Sequence, residues 1–380
     1  MKILRMRFDN IGLFHDGMQI DFMATDRVVN HDHVTPVHGS VNVNNVLGIV
    51  GINATGKTTV LRLINMAMDI VIQNRGLDTI EIPRGIVKDG TIMTVYFFLN
   101  NEYYKFVSEI GLESKEAESQ NPEFYFRQEE IYKKLKSAVT SKKQVFEFTP
   151  AHEVTTRKKE AQNENSKFLK KYDSIITAVT YNQQIGHINM IFETNFNFFW
   201  TEGQANQDFV RLFDRSIASL SMEKNKASIK FVDSEEPYVE ELIGVANILS
   251  SGTIKGLKIL DNISRVIRTG GYLLVDEIEN HMHKRLVQTI IKFFTNPEVN
   301  RHGATLVFST HYIEIIDTIE RKDNIIVLRK TKEGYAQCLK YSDEVVRNDI
   351  KKSEVLLSNL IDGTAVKYED IKAVEKAICQ

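Results

Sequence analysis

The octapeptide Gly51-Ile52-Asn53-Ala54-Thr55-Gly56-Lys57-Thr58 constrains this chain more than any other feature. It fits the pattern G-x-x-x-x-G-K-[ST] and follows Val46 to Val50, a short apolar run that reads as a buried strand. After it, Val60, Leu63, Ile64, Ala67, Met68 and Val71 recur at helical spacing, which predicts a helix from Lys57 to about Gln73. Strand, glycine-containing loop and helix in that order make an anion cradle. The glycines let backbone N–H groups curl around phosphate oxygens, and the helix N-terminus adds partial positive charge. This chemistry assigns Lys57 to the β- and γ-phosphates of a nucleotide and the Thr58 hydroxyl to Mg²⁺. Asn53, Gly56 and Thr59 complete the expected contacts, with Thr59 at the α-phosphate.

Three further segments carry chemistry that such a site needs. Tyr272-Leu273-Leu274-Val275-Asp276-Glu277 is an apolar run ending in two carboxylates. As a strand beside the phosphate loop, it would place Asp276 to hold Mg²⁺ or its water shell. Glu277 would then face the γ-phosphate and polarise the attacking water. Thr305 to Phe308 is another apolar strand, ended by Ser309-Thr310-His311. A histidine there can hydrogen-bond the γ-phosphate and sense its loss. Leu249-Ser250-Ser251-Gly252-Thr253 precedes a helix expected from about Ile254 to Ile267. A Ser–Gly turn at a helix start offers a hydroxyl and free N–H groups to an anion, and read alone it is an ordinary N-cap.

Composition narrows the classes. Hydrophobic residues make up 42% and charged residues 26%, which is ordinary globular usage. Lys plus Arg is 48 against 50 Asp plus Glu, a balance that gives no support to a whole-surface nucleic-acid binder. Two cysteines, Cys338 and Cys379, cannot make a disulfide framework or a Cys-based zinc site, so a reducing cytoplasmic compartment is expected. No apolar run approaches a membrane span, and Met1 to Arg7 alternates charged and apolar residues, unlike a signal peptide. The pairs His31/His33 and His281/His283 lack carboxylate or Cys partners at ligand spacing, so no metal is expected there.

Two short strands are expected within residues 1–23. Met93 to Leu99 and Tyr103 to Ile110 read as a hairpin turning at Asn100-Asn101. Residues 109–171 change character. Glu109 to Glu130 holds seven acidic and two basic side chains, and Ile131 to Lys171 eleven basic and four acidic. The segment reads as a helical insertion whose opposed charge blocks pair. A solvated, salt-bridged face and a basic nucleic-acid or partner surface both stay open. Ile175 to Tyr181 reads as a strand. Phe192, Phe196, Phe198, Phe199 and Trp200 read as core packing or a partner surface. From residue 245 onward helices separate apolar strands, which implies a parallel sheet.

The order of these segments resembles the ABC-type ATPase heads of the SMC and RecF kind. More narrowly, it is similar to the stand-alone prokaryotic AAA15 or AAA_21 ATPases, related to the ATPase half of OLD-family proteins. The matching text is the opening strand Lys2 to Asn10, the phosphate loop, Leu249 to Leu257 and Val275 to His283. The resemblance implies an α/β P-loop NTPase with a mainly parallel sheet, an antiparallel β flank and a helical insertion. Its parts would be the N-terminal portion of the head at 1–108, the helical insertion and mixed region at 109–244, the C-terminal portion at 245–340, and a helical tail at 341–380.

The same resemblance implies ATP and Mg²⁺ as cofactors, with Glu277 and His311 in hydrolysis. It implies a homodimer or higher homo-oligomer, in which Ser250, Ser251 and Gly252 of one chain complete the ATP site of another. Gln183 or its neighbour Gln184 would be the glutamine that reaches the metal, and Asn280 would touch the partner chain. His283 resembles a structural histidine of the family. The resemblance further implies regulation of a separate effector protein, in anti-phage (abortive-infection) defence. A nucleotide-gated scaffold with little turnover and a RecF-like DNA-repair ATPase remain alternatives. The chain departs from its relatives in lacking sustained heptads at 109–171 and any D-x-D pair after His311.

Overall fold

The computed structural model describes residues 1–113, 123–162, 169–192, 203–331, 334–347, 349–365 and 368–378. At its centre is a six-stranded sheet, whose strands are numbered here in chain order: β1 Val46–Val50, β2 His187–Asn189, β3 Tyr272–Val275, β4 Thr305–Thr310, β5 Ile325–Lys330 and β6 Ala336–Lys340. Their spatial order is β2-β3-β4-β1-β5-β6. All neighbours are parallel except β5 and β6. Every residue of β1, β3 and β4 is buried, which is why these strands are continuous apolar runs and not alternating ones. The strand that ends near His311 therefore lies between the phosphate-loop strand and the Asp-Glu strand.

Three helices serve this sheet: α1 Lys57–Val71, α2 Ser251–Thr269 and α3 Lys284–Thr295. Helix α1 is buried on nearly all sides because a second sheet covers it. That sheet is antiparallel. Its strands run Met18–Asp21, Lys2–Asp9, Thr91–Leu99, Glu102–Glu113, Glu123–Leu135 and Glu153–Thr156 in spatial order. Ile3, Met6, Phe8, Val95 and Phe97 from it join Leu61, Ile64 and Met68 of α1 in one core. Asn100 and Asn101 both take left-handed backbone angles, φ 49° and 66°, as a tight hairpin turn requires. A small antiparallel sheet built on Ile217–Glu223 and Lys226–Phe231 packs Leu220 and Ile229 with Ile254 and Leu257 of α2.

The helical insertion expected at 109–171 is not present in its first part. Glu102–Glu113 and Glu123–Leu135 pair as long antiparallel strands that extend the N-terminal sheet across the expected boundary at residue 108. The opposed charge blocks do meet, Arg157 with Glu129 and Lys171 with Glu113 and Glu123, but the carboxylates lie on strands and the pairs are not between two helices. Arg127 bridges Asp89 and Glu109, and Lys133 bridges Glu102. Phe126 and Ile131 point into the core opposite Ile110 and Phe106, and an irregularity in register at Glu109/Ile110 lets these two residues, five apart, share one face. The strand expected at Ile175 to Tyr181 is a short helix, Thr177–Thr180. There the Ser174 hydroxyl accepts from the Ile176 N–H, and the Thr180 hydroxyl donates to the Ile176 carbonyl and to Asn74. Such local side-chain bonds compete with a sheet ladder. Of the aromatic run, Phe192 is half-exposed, while Phe196, Phe198, Phe199 and Trp200 lie outside the described residues.

The basic stretch is largely spent on holding the fold together. The Lys142 ammonium donates to the carbonyls of Ala24, Thr25 and Asp26. Arg157 binds buried Glu129 at 2.6 Å and the carbonyls of Lys170 and Asp173. Lys159 pairs with Glu153.

Candidate nucleotide site

The phosphate loop joins β1 to α1. Gly56 takes φ 97° where the chain turns into the helix, and a Cβ there would lie 3.0 Å from the Phe14 ring. Both facts call for glycine. The Lys57 ammonium reaches back over the loop and donates to the carbonyls of Gly51, at 2.7 Å, and Ile52, at 3.1 Å. Burial lowers its pKa, and the carboxylates of Asp276, Glu277 and Glu279 oppose that shift. The charge thus stands at the centre of the loop, where an anion would meet it.

Thr58 opens α1 and donates its hydroxyl proton to Asp276 Oδ2 at 2.6 Å. The other oxygen of Asp276 accepts from the Ser309 hydroxyl. Ser309 also accepts from the Glu277 N–H at 2.8 Å, so one serine on β4 fixes both acidic residues at the end of β3. Glu277 takes φ 46°, an uncommon backbone state for a residue with a side chain. Its Oε1 lies 3.1 Å from His311 Nε2. Asn53, Lys57, Thr58, Thr59, Glu277 and His311 line a depression of about 470 Å³, with Gly56 and Leu13 beside them.

Oxygen donors of this kind suit Mg²⁺. Thr58 donates its proton to Asp276 and keeps its lone pairs for a cation, while Asp276 supplies the charge. Mg²⁺ takes one or two such protein ligands and fills its shell with phosphate oxygens and water.

A family described as "AAA domain, putative AbiEii toxin, Type IV TA system" matches residues 46–317, well over half of the chain. The chain belongs to this AAA_21 family. It carries a nucleotide-binding ATPase domain, and the matched span runs from β1 to just beyond His311. No curated protein matches the chain. No described helix is long and apolar enough to cross a membrane.

Not every residue expected at this AAA_21 site is found there. Ser250 caps α2, its hydroxyl accepting from the Thr253 N–H at 3.0 Å. Ser251 begins the helix, and Gly252 lies against the His281 carbonyl so closely that a Cβ would sit 2.5 Å from its oxygen. None of the three lines the depression within their own chain. Gln183 is a correction. Its amide donates to the Ile72 carbonyl and accepts from the Ile185 N–H. Ile72 follows the C-terminus of α1, and Lys57 starts that helix, so about 22 Å of helix separates Gln183 from Thr58. The error follows from the misplaced strand. The edge strand of this sheet is β2, so the segment after Asn189 leaves at the phosphate end, not the one before it. Residues 193–202 of that segment lie outside the described residues.

Two residues assigned no role from the sequence belong to the site. Ser309 is one. Lys255 is the other, a buried lysine one turn into α2 that donates to the Glu277 carbonyl at 3.0 Å. Burial pushes its pKa down to about 8 against the pull of Glu279, Glu277 and Asp276. The only advance signal was a lysine on the apolar face of a predicted helix.

Proposed function

We propose that this chain is an ATP-hydrolysing switch that closes as a dimer around Mg·ATP and relays its nucleotide state to a separate effector protein. The observation that carries the reading is the Glu277–His311 pair at the mouth of the depression that also holds Lys57 and Thr58. Lys57 would bind the β- and γ-phosphates. Thr58 and Asp276 would hold Mg²⁺, which supplies charge neutralisation at the transferring phosphoryl group. Glu277 would orient the attacking water, with His311 beside it to contact the γ-phosphate and register its departure. No covalent intermediate is required, because positioning and charge stabilisation suffice for this chemistry.

The dimer rests on Ser250, Ser251 and Gly252. They form a helix start suited to an anion and stand apart from their own phosphate loop. A two-fold partner would bring its ATP to them. The family's description as a type IV toxin–antitoxin component supports a regulatory setting such as anti-phage defence. A DNA-repair role of the RecF kind gains little, since Lys142 and Arg157 are bound within the fold and Lys159 is paired with Glu153.

The test is Glu277→Gln, which keeps shape and loses the carboxylate. It should bind ATP, lose turnover and accumulate as a nucleotide-loaded dimer in light scattering. Wild-type turnover by this variant would refute the assignment of Glu277, and a monomer at saturating ATP would refute the sandwich.

A further inference from the structure

We propose that Glu279 is a positioning residue for His311 and, through it, for the Glu277–His311 pair; this rests on the reading of that pair given above. Glu279 lies in the loop after β3 and is 6% exposed. Its Oε1 accepts from the main-chain N–H of His311 at 2.5 Å. Two other bonds tie the same loop to β4. The Glu277 N–H donates to the Ser309 hydroxyl and the Ile278 N–H to the Ser309 carbonyl, at 2.8 and 3.1 Å. The Glu279 bond is the one of these three that holds His311 itself.

That bond matters because of how His311 is placed. It follows the last residue of β4, where the ladder ends and an N–H needs another acceptor. Its side chain is one-third exposed, and the ring's hydrogen-bond contact is Glu277. The main chain therefore sets the direction of the imidazole, and Glu279 sets the main chain. The loop beyond is fixed separately by the Tyr312 N–H on the Thr310 hydroxyl at 3.0 Å.

Packing does not explain a carboxylate at this position. Among the described residues Glu279 Oε2 is buried with no hydrogen-bond partner, an arrangement that costs stability wherever an apolar side chain would fit. The charge is offset at a distance. Among the carboxylates acting on the buried Lys255 ammonium, Glu279 is the largest influence, and it also acts on Lys57. Lys255 in turn donates to the Glu277 carbonyl. Glu277 is thus held from α2 by Lys255 and from β4 by Ser309, while Glu279 aligns the histidine that meets its side chain.

The experiment compares Glu279→Ala with Glu279→Gln, which keeps an acceptor in place. Glu279→Met, which fills the volume without an acceptor, replaces the alanine variant should that fail to fold. The acceptor-free variant should lower kcat by roughly tenfold to a hundredfold, as loss of an orienting partner does elsewhere, with KM for Mg·ATP nearly unchanged. The Gln variant should recover most of the loss. In a His311→Ala background the same change should cost no more than about twofold, because the two residues act as one unit. An equal loss in both backgrounds would mean a general structural role and overturn the proposal. A second readout needs no turnover. The His311 ring resonance, assigned by its disappearance in His311→Ala, should move in the acceptor-free variant and stay in place in Glu279→Gln. If wild type hydrolyses no ATP, the proposed function falls while this resonance still decides the role of Glu279. A resonance that does not move in the acceptor-free variant overturns it.

Discussion

Thr58 and Asp276 are 218 residues apart in the chain, and a 2.6 Å hydrogen bond joins them. Two strand ends make that possible. β1 delivers the phosphate loop and β3 the acidic pair, with β4 between them to supply Ser309 and His311. Parallel strands bring all their C-terminal ends to one edge, so residues from distant segments meet there.

The bond predicts a division of labour. Thr58→Ala removes the hydroxyl and should raise the Mg²⁺ concentration needed for half-maximal turnover by roughly tenfold, while Mg²⁺-free nucleotide binding through Lys57 persists. A magnesium titration of ATPase activity measures this. An unchanged midpoint would remove Thr58 from the metal site.

Arg157 was a candidate for a basic outer surface, yet it sits on a carboxylate that is 0% exposed. Glu129 also accepts from the Ser174 hydroxyl and the Ile175 N–H. Arg157→Ala strands that carboxylate and should destabilise the fold by about 3 kcal/mol. Urea unfolding of the variant reads the cost directly, and a change below about 1 kcal/mol would mean the pair is relaxed in solution.

His187 supplies a pH dependence. It is buried beside Asn65 and Asp69, its Nε2 3.0 Å from the Asn65 amide oxygen, and its Nδ1 has no partner among the described residues. Burial, helped by Arg75, pushes its pKa down to about 3 from the ordinary 6.5. The unfolded chain therefore takes up a proton that the folded chain refuses. Stability should be full above pH 6.5 and decline as pH falls from there toward 3. Asp69, whose pKa burial raises, acts in the opposite sense at the lower end of that window. Replacing His187 by Gln should flatten the decline, as followed by thermal unfolding from pH 7 to pH 4. An identical slope in the variant would assign the acid sensitivity to other groups.

The parts of the site legible in the sequence are those with strict local geometry. The strand, loop and helix around Lys57 admit few alternatives, and the apolar runs before Asp276 and Ser309 are too short for anything but buried strands. What stayed hidden depends on distant partners. The hairpin from Glu102 to Leu135 was read through its charge blocks, and the irregular register that brings Phe126 and Ile131, five residues apart, to one face hid the alternation. Gln183 was attached to a strand that is a helical turn in the fold. Lys255 and Glu279 became visible only once α2 and β4 were placed around the loop after β3.

The central claim is that ATP is hydrolysed at a site shared between two chains. Lys57→Ala and Ser251→Arg should each be inactive, the first through loss of the charge on the β- and γ-phosphates and the second through a bulky cation where the partner's ATP would dock. In a mixed dimer one site carries both defects and the other carries neither. The direct measurement is the ATPase rate of the two variants mixed after proven subunit exchange. The account predicts recovery to roughly a quarter of the wild-type rate, from half the dimers each holding one intact site. A mixture as inactive as either variant alone would contradict it.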